Sequence, residues 1–176
     1  WYIKRGHARN QEDEQSVKQY FFQLLPSEYL SYQGFYERLY IYQAFCWYAY
    51  IRQDFRMYYR YTQKWVDLFN EKPNMLDMET MHYVKGMHNL LNALFDIRHH
   101  KKLESYIALF KEFSDTHPSQ QFENVRIQTF VYLSSAQLNQ HILQGRFREG
   151  LLLLPSIEKQ LLAYDVSVSY THLRAH

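Results

Sequence analysis

The chain has 176 residues, with 20 Lys+Arg against 18 Asp+Glu and a formal net charge of +2. A balance so close to neutral argues against a strongly basic nucleic-acid or membrane-surface module. Aromatic residues reach 18% while there are only 5 Gly and 4 Pro, so turn formers are scarce and the elements must be long.

The lone cysteine, Cys46, has no internal disulfide partner, which fits a reducing compartment and gives a cytoplasmic expectation. The longest nearly apolar stretch, 41–51, is interrupted by Gln43 and falls short of the roughly 20 residues that a bilayer span requires. The sequence opens Trp1-Tyr2-Ile3 with no initiator Met and no leader pattern, as though cut inside a helix of a longer protein.

In chain order, residues 11–25 read as the second helix of a truncated pair whose turn falls at Gly6. Pro26, Pro73 and Pro118 then recur at intervals in the mid-forties, each where it ends one helix without disrupting the next. Within each interval a polar cluster precedes an aromatic or Leu: Arg52-Gln53-Asp54-Phe55, His99-His100-Lys101-Lys102-Leu103 and Gln144-Gly145-Arg146-Phe147. These read as tight turns between antiparallel helices. The predicted helices are 28–53 and 54–70, 76–98 and 101–114, and 119–143 and 146–164. Pro155 lies inside the last, which must kink there or restart at Ser156.

The expected fold is therefore all-α, stacked antiparallel helical hairpins in one domain over 1–165, divided as 1–25, 26–72, 73–117 and 118–165. On the helix opening at 28, Tyr32, Phe35, Tyr36, Leu39, Tyr40, Tyr42, Cys46, Trp47, Ala49 and Tyr50 cover more than half of the circumference. A helix so apolar calls for neighbours on several sides, and Trp47 is assigned to the core.

Gly145-Arg146-Phe147-Arg148-Glu149-Gly150, followed by Leu154, resembles the turn and second-helix start of a tetratricopeptide repeat. Asp54-Phe55 is similar to the same turn, and Leu103, Tyr106, Phe110, Phe113 and Pro118 match the second helix and its closing proline. The chain departs from the family in its longer period, in Tyr58 and Tyr106 where a small Ala is usual, and in its long first helices; a HEAT-like helical stack is the neighbouring architecture. The resemblance implies a superhelical α-solenoid that binds protein or peptide in a groove lined by first helices. Separately, the ending Ser-Tyr-Thr-His-Leu-Arg-Ala-His resembles an adapter-derived translation artefact, so 166–176 is expected to be a non-native or disordered tail.

Candidate sites follow from spacing. His82, Lys85, Asn89 and Asn92 step by three, four and three, and Gln128, Tyr132, Ser135 and Asn139 by four, three and four, so each set shares one helical face. Their amides suit an extended peptide backbone and Lys85 a carboxylate, with Tyr36, Tyr40 and Trp47 as a candidate aromatic wall whose competing reading is core, the favoured one for Trp47. Lys85→Ala and Asn89→Ala are both expected to leave stability within about 0.5 kcal/mol. Arg52, Arg56, Arg60 and Lys64 recur every four residues beside Tyr59, a candidate anion-binding row whose competing reading is a solvated face. No zinc spacing, phosphate loop or nucleophile elbow is present, so neither metal nor cofactor nor catalysis is expected. The function expected is a non-catalytic interaction scaffold for a protein or peptide. The alternative is the sensory or regulatory arm of a signalling or DNA-binding protein whose effector domain lies outside this sequence; direct nucleic-acid binding is disfavoured and the oligomeric state is open.

Overall fold

Among the described residues, three hairpin turns share one backbone design. In the first, Arg52 N–H donates to Tyr48 O, Gln53 N–H to Tyr50 O and Asp54 N–H to Ala49 O; the same bonds join Ile97 to Ala93, Arg98 to Phe95 and His99 to Leu94, and again Gln144 to Gln140, Gly145 to Ile142 and Arg146 to His141. Each closes the last carbonyls of a helix around one left-handed residue: Gln53 at φ 56°, Arg98 at φ 55° and Gly145 at φ 69°. The backbone thus repeats in the mid-forties at the turns, as the prolines do in sequence.

The computed structural model of the protein describes residues 2–24 and 34–173, with side chains for all of these except Lys4 and 165–173. These residues are all-α: α1 Tyr2–Arg5, α2 Gln11–Leu24, α3 Phe35–Ile51, α4 Phe55–Glu71, α5 Asn74–Met78, α6 Thr80–Asp96, α7 His100–Thr116, α8 Glu123–Leu143 and α9 Phe147–Leu173. Residues 28–33 of the first predicted long helix lie outside the description.

Four boundaries differ from the sequence reading. The helix expected over 76–98 breaks at Glu79, whose backbone leaves the helical region at φ −125°, ψ 38°; Thr80 Oγ1 bonds back to Leu76 O at 2.8 Å, offering that carbonyl a side-chain donor. The helix expected from 119 begins at Glu123, because a 3₁₀ turn at Pro118–Gln121 comes first and Phe122 is extended. Pro155 neither stops α9 nor makes it restart at Ser156; Ser156 Oγ instead donates to Leu153 O at 2.8 Å. The backbone stays helical through Leu173, beyond the point where alternation argued against helix. Residues 174–176 lie outside the description.

Packing divides the chain at His99/His100 into two units. In the first, α3 packs on α2 and α4, and α4 packs on α5 and α6. Its core takes Leu39, Phe45 and Ile51 from α3, Trp65, Val66 and Leu68 from α4, and Val84, Met87 and Leu91 from α6, each aliphatic side chain worth about 1.5–3 kcal/mol on burial. Rings lock the layers: Phe45 stacks on Tyr61 at 4.5 Å, and Phe69 meets Phe35 and Tyr83 edge-on at 5.3 and 5.4 Å. Gly86 lets α6 approach α4, since a Cβ there would stand 3.0 Å from Trp65 Nε1. In the second unit, α7 packs on α8 through Leu103, Ile107, Phe110 and Phe113, and α8 packs on α9.

The assignment of Trp47 to the core is corrected: it is 54% exposed. Tyr48 and Ala49 beside it are buried, so the covered arc of α3 passes next to Trp47 and leaves its ring outside.

Candidate functional site: an aromatic ledge and a basic cleft

Tyr36, Tyr40, Gln43, Trp47 and Tyr50 step by four, three, four and three along α3 and form one stripe. The four aromatics are all substantially exposed, Tyr40 most of all at 56%. Such rings present apolar contact area at low entropic cost while their polar tips stay wet.

The first polar row, on α6, lies against this stripe. Gln43 Nε2 donates to His82 Nδ1 at 2.9 Å, and the Tyr40 and His82 rings meet edge-on at 6.2 Å. Tyr36 Oη donates to Glu79 Oε1 at 2.7 Å, a bond to a carboxylate that raises the phenol pKa. One turn further, Tyr58 Oη donates to Asn89 Oδ1 at 3.0 Å, while burial raises the Tyr58 pKa. Tyr58 also meets Tyr50 at 6.1 Å, so the chain of contacts returns to the stripe. Asn92 Nδ2 donates to His88 Nε2 at 3.1 Å and turns along its own helix; burial lowers the His88 pKa, which keeps that nitrogen an acceptor. Lys85 differs from its companions: it is exposed, and no carboxylate pairs with it among the described residues.

The structure therefore brings Tyr36, Tyr40 and His82 together, while Asn89 reaches Tyr58 of α4, Asn92 reaches His88 of its own helix, and Lys85 stands exposed on the same helix. Tyr50, Gln43 and Glu79 belong to that surface too, and the sequence reading missed them; Trp47, weighed there as wall or core and assigned to core, joins them. The three-and-four stepping was visible, but the aromatic bulk had been assigned to core. Gln128, Tyr132, Ser135 and Asn139 lie half-buried along α8 of the second unit, where burial raises the Tyr132 pKa.

The four-residue basic row is corrected. Arg52 caps α3 before the chain reverses at Gln53, so its spacing to Arg56 has no helical meaning. Its guanidinium lies 3.6 Å from Glu14 and over the Tyr48 ring at 5.2 Å. Arg56, Arg60 and Lys64 do share a face of α4, and they line an open cleft of about 950 Å³ with Gln53, Asp54, Phe55, Tyr59, Gln63, Asp96 and Ile97. Tyr59 Oη donates to Gln63 Oε1 at 3.3 Å, and Gln63 Nε2 to Asp67 Oδ1 at 3.0 Å. Burial raises the Asp96 carboxyl pKa.

Among the described residues no three of His, Cys, Asp and Glu gather as metal ligands would, and no helix is long and apolar enough to cross a membrane. Burial raises the Cys46 thiol pKa, leaving it protonated and unreactive at neutral pH. No family model, curated protein or solved structure matches the chain.

Proposed function

We propose that this protein is a non-catalytic interaction module, tetratricopeptide-like in its stacking, that holds an extended partner segment along the face shared by α3 and α6. One observation carries the reading: Tyr36, Tyr40, Trp47 and Tyr50 form an exposed row on α3, and on α6, which bonds to that row through His82, Lys85 is exposed with no carboxylate partner among the described residues. Exposed aromatic bands mark interaction surfaces more often than scattered apolar residues do. Tyr and Trp are also the side chains that dominate binding energy at such surfaces. Hydrogen bonds from Gln43 to His82 and from Tyr58 to Asn89 hold the polar row in place before any partner arrives, which reduces the ordering cost of binding. Apolar side chains of the segment lie on the rings, and a carboxylate of the segment meets Lys85.

The test is selection of peptides from a random display library on the wild-type protein, followed by affinity measurement on Trp47→Ala and Lys85→Ala. Trp47→Ala is expected to lose on the order of tenfold or more in affinity, and Lys85→Ala to lose affinity for acidic or carboxylate-ended peptides only. Selected peptides that bind both variants as well as wild type would place the interaction elsewhere and sink the proposal.

A further inference from the structure

The cleft lined by the start of α4 and the end of α6 has a polarity of its own. At one end α4 begins, and Arg56 and Arg60 project there one turn apart. Neither has a carboxylate partner among the described residues. Two arginines at i and i+4 on one helical face, their Cβ atoms about 6 Å apart, suit an anion with several oxygens better than a single-point acceptor. The positive end of the α4 dipole adds to their field, while Asp54, the cap of that helix, spends Oδ1 on Met57 N–H at 2.9 Å. Lys64 extends the positive field along the same wall, its ammonium 5.3 Å from the Tyr61 ring.

The other end is negative. Asp96 is the last residue of α6, where the helix dipole favours hydrogen-bond donors. Asp96 has no cationic partner among the described residues, so the charges of the two walls do not cancel by direct pairing. Between them stand Tyr59 and Phe55, the latter 47% exposed. A bare inorganic anion would leave most of a space of about 950 Å³ empty, a volume at the upper end of small-molecule sites.

From these four features we infer that the cleft is a binding site for a small organic phosphate carrying hydroxyl groups, of the sugar-phosphate or nucleotide class. The phosphate sits on Arg56 and Arg60, the hydroxyls donate to Asp96, and the body of the ligand lies along Phe55 and Tyr59. The opposite polarity of the two ends fixes this orientation. An acidic peptide fits less well, because its repeated charges would approach Asp96. The inference is independent of the α3/α6 face.

Calorimetric titration at low ionic strength with inorganic phosphate, ribose 5-phosphate and adenosine monophosphate tests it. Saturable binding of at least one organic phosphate in the range around 1 mM or tighter is expected, with inorganic phosphate at least several-fold weaker. Comparison of the sugar phosphate with the nucleotide shows whether a base adds to the contact with Phe55 and Tyr59. Arg56→Gln and Arg60→Gln each weaken the organic phosphate about tenfold, the loss expected for one charged hydrogen-bonding group. Asp96→Asn weakens the organic phosphates while leaving inorganic phosphate no weaker. Both arginines are exposed, and unchanged melting temperatures of their variants, with Arg60→Lys retaining part of the affinity, separate binding from folding. The inference is overturned if no phosphate saturates the protein, if inorganic phosphate binds as tightly as the organic ones, or if the arginine variants bind as wild type does.

Discussion

α3 and α4 are neighbours of equal length, 17 residues each, yet they distribute their side chains in opposite ways. α4 is divided: Tyr58, Thr62, Trp65, Val66 and Phe69 are buried, while Arg56, Arg60 and Lys64 face water. α3 has no such division, because Leu39, Phe45, Cys46, Tyr48 and Ile51 are buried and Tyr36, Tyr40, Trp47 and Tyr50, equally apolar by composition, are exposed. A helix whose polar residues mark its outer face needs no further explanation. One that exposes rings where a Lys or Glu would have served stability equally well is the feature on which the proposed interaction rests.

The largest expected effect sharpens that contrast. Leu39 is 0% exposed, and Leu39→Ala should cost about 2–5 kcal/mol through lost burial and the cavity left behind. Trp47, a larger residue eight positions on, should cost less, about 1–2 kcal/mol, when replaced by Ala, because it is 54% exposed and half of its surface stays in water. Urea unfolding of the two variants decides it. Equal losses would mean that Trp47 is core after all and that the exposed stripe is shorter than described.

A smaller effect separates two residues that the sequence had treated alike. Lys85→Ala should stay within about 0.5 kcal/mol, as for other exposed positions. Asn89→Ala should not, and here the expectation from sequence is revised. Its amide oxygen accepts from the buried Tyr58 hydroxyl, and an orphaned buried donor costs about 1–3 kcal/mol. Removing the hydroxyl as well, with Tyr58→Phe in the Asn89→Ala background, should recover part of the loss. If Asn89→Ala proves neutral, that bond is not holding α4 to α6.

How much of this could be read beforehand depended on which residues carried the signal. The all-α class and the three hairpin turns were legible because polar clusters such as Gln144-Gly145-Arg146 interrupt helical periodicity where a reversal needs them. The mid-forties spacing was legible from prolines alone. The break at Glu79 was not, since it rests on a Thr80 hydroxyl reaching back to Leu76 O, and sequence does not distinguish a Thr inside a helix from one at its edge. Within the site, His82, Lys85 and Asn89 were found because polar residues at helical spacing are conspicuous. Trp47 was assigned to core and Tyr50 was missed because an aromatic residue fits core and binding surface equally, and only its neighbours decide. Arg52 was misplaced for a geometric reason: counting by fours fails across a reversal.

The turn between α3 and α4 gives the smallest and most local test. Gln53 occupies the left-handed region at φ 56°, where Gly145 stands at φ 69° in the equivalent turn. A side chain there costs roughly 1–2 kcal/mol that glycine avoids, although glycine gives part of this back through the entropy of the unfolded chain. Gln53→Gly should therefore raise stability by up to about 1 kcal/mol, and Gly145→Ala should lower it by about 1 kcal/mol. A Cβ added at Gly145 meets nothing within 4 Å, so the loss would come from backbone conformation alone, with no steric contribution to confuse it. Opposite signs in thermal melts of the two variants would establish that both turns hold the same left-handed residue and that the chain tolerates strain at Gln53. If both substitutions destabilise, the Gln53 side chain itself contributes to joining α3 and α4, and the two turns are alike in backbone geometry but not in energetics.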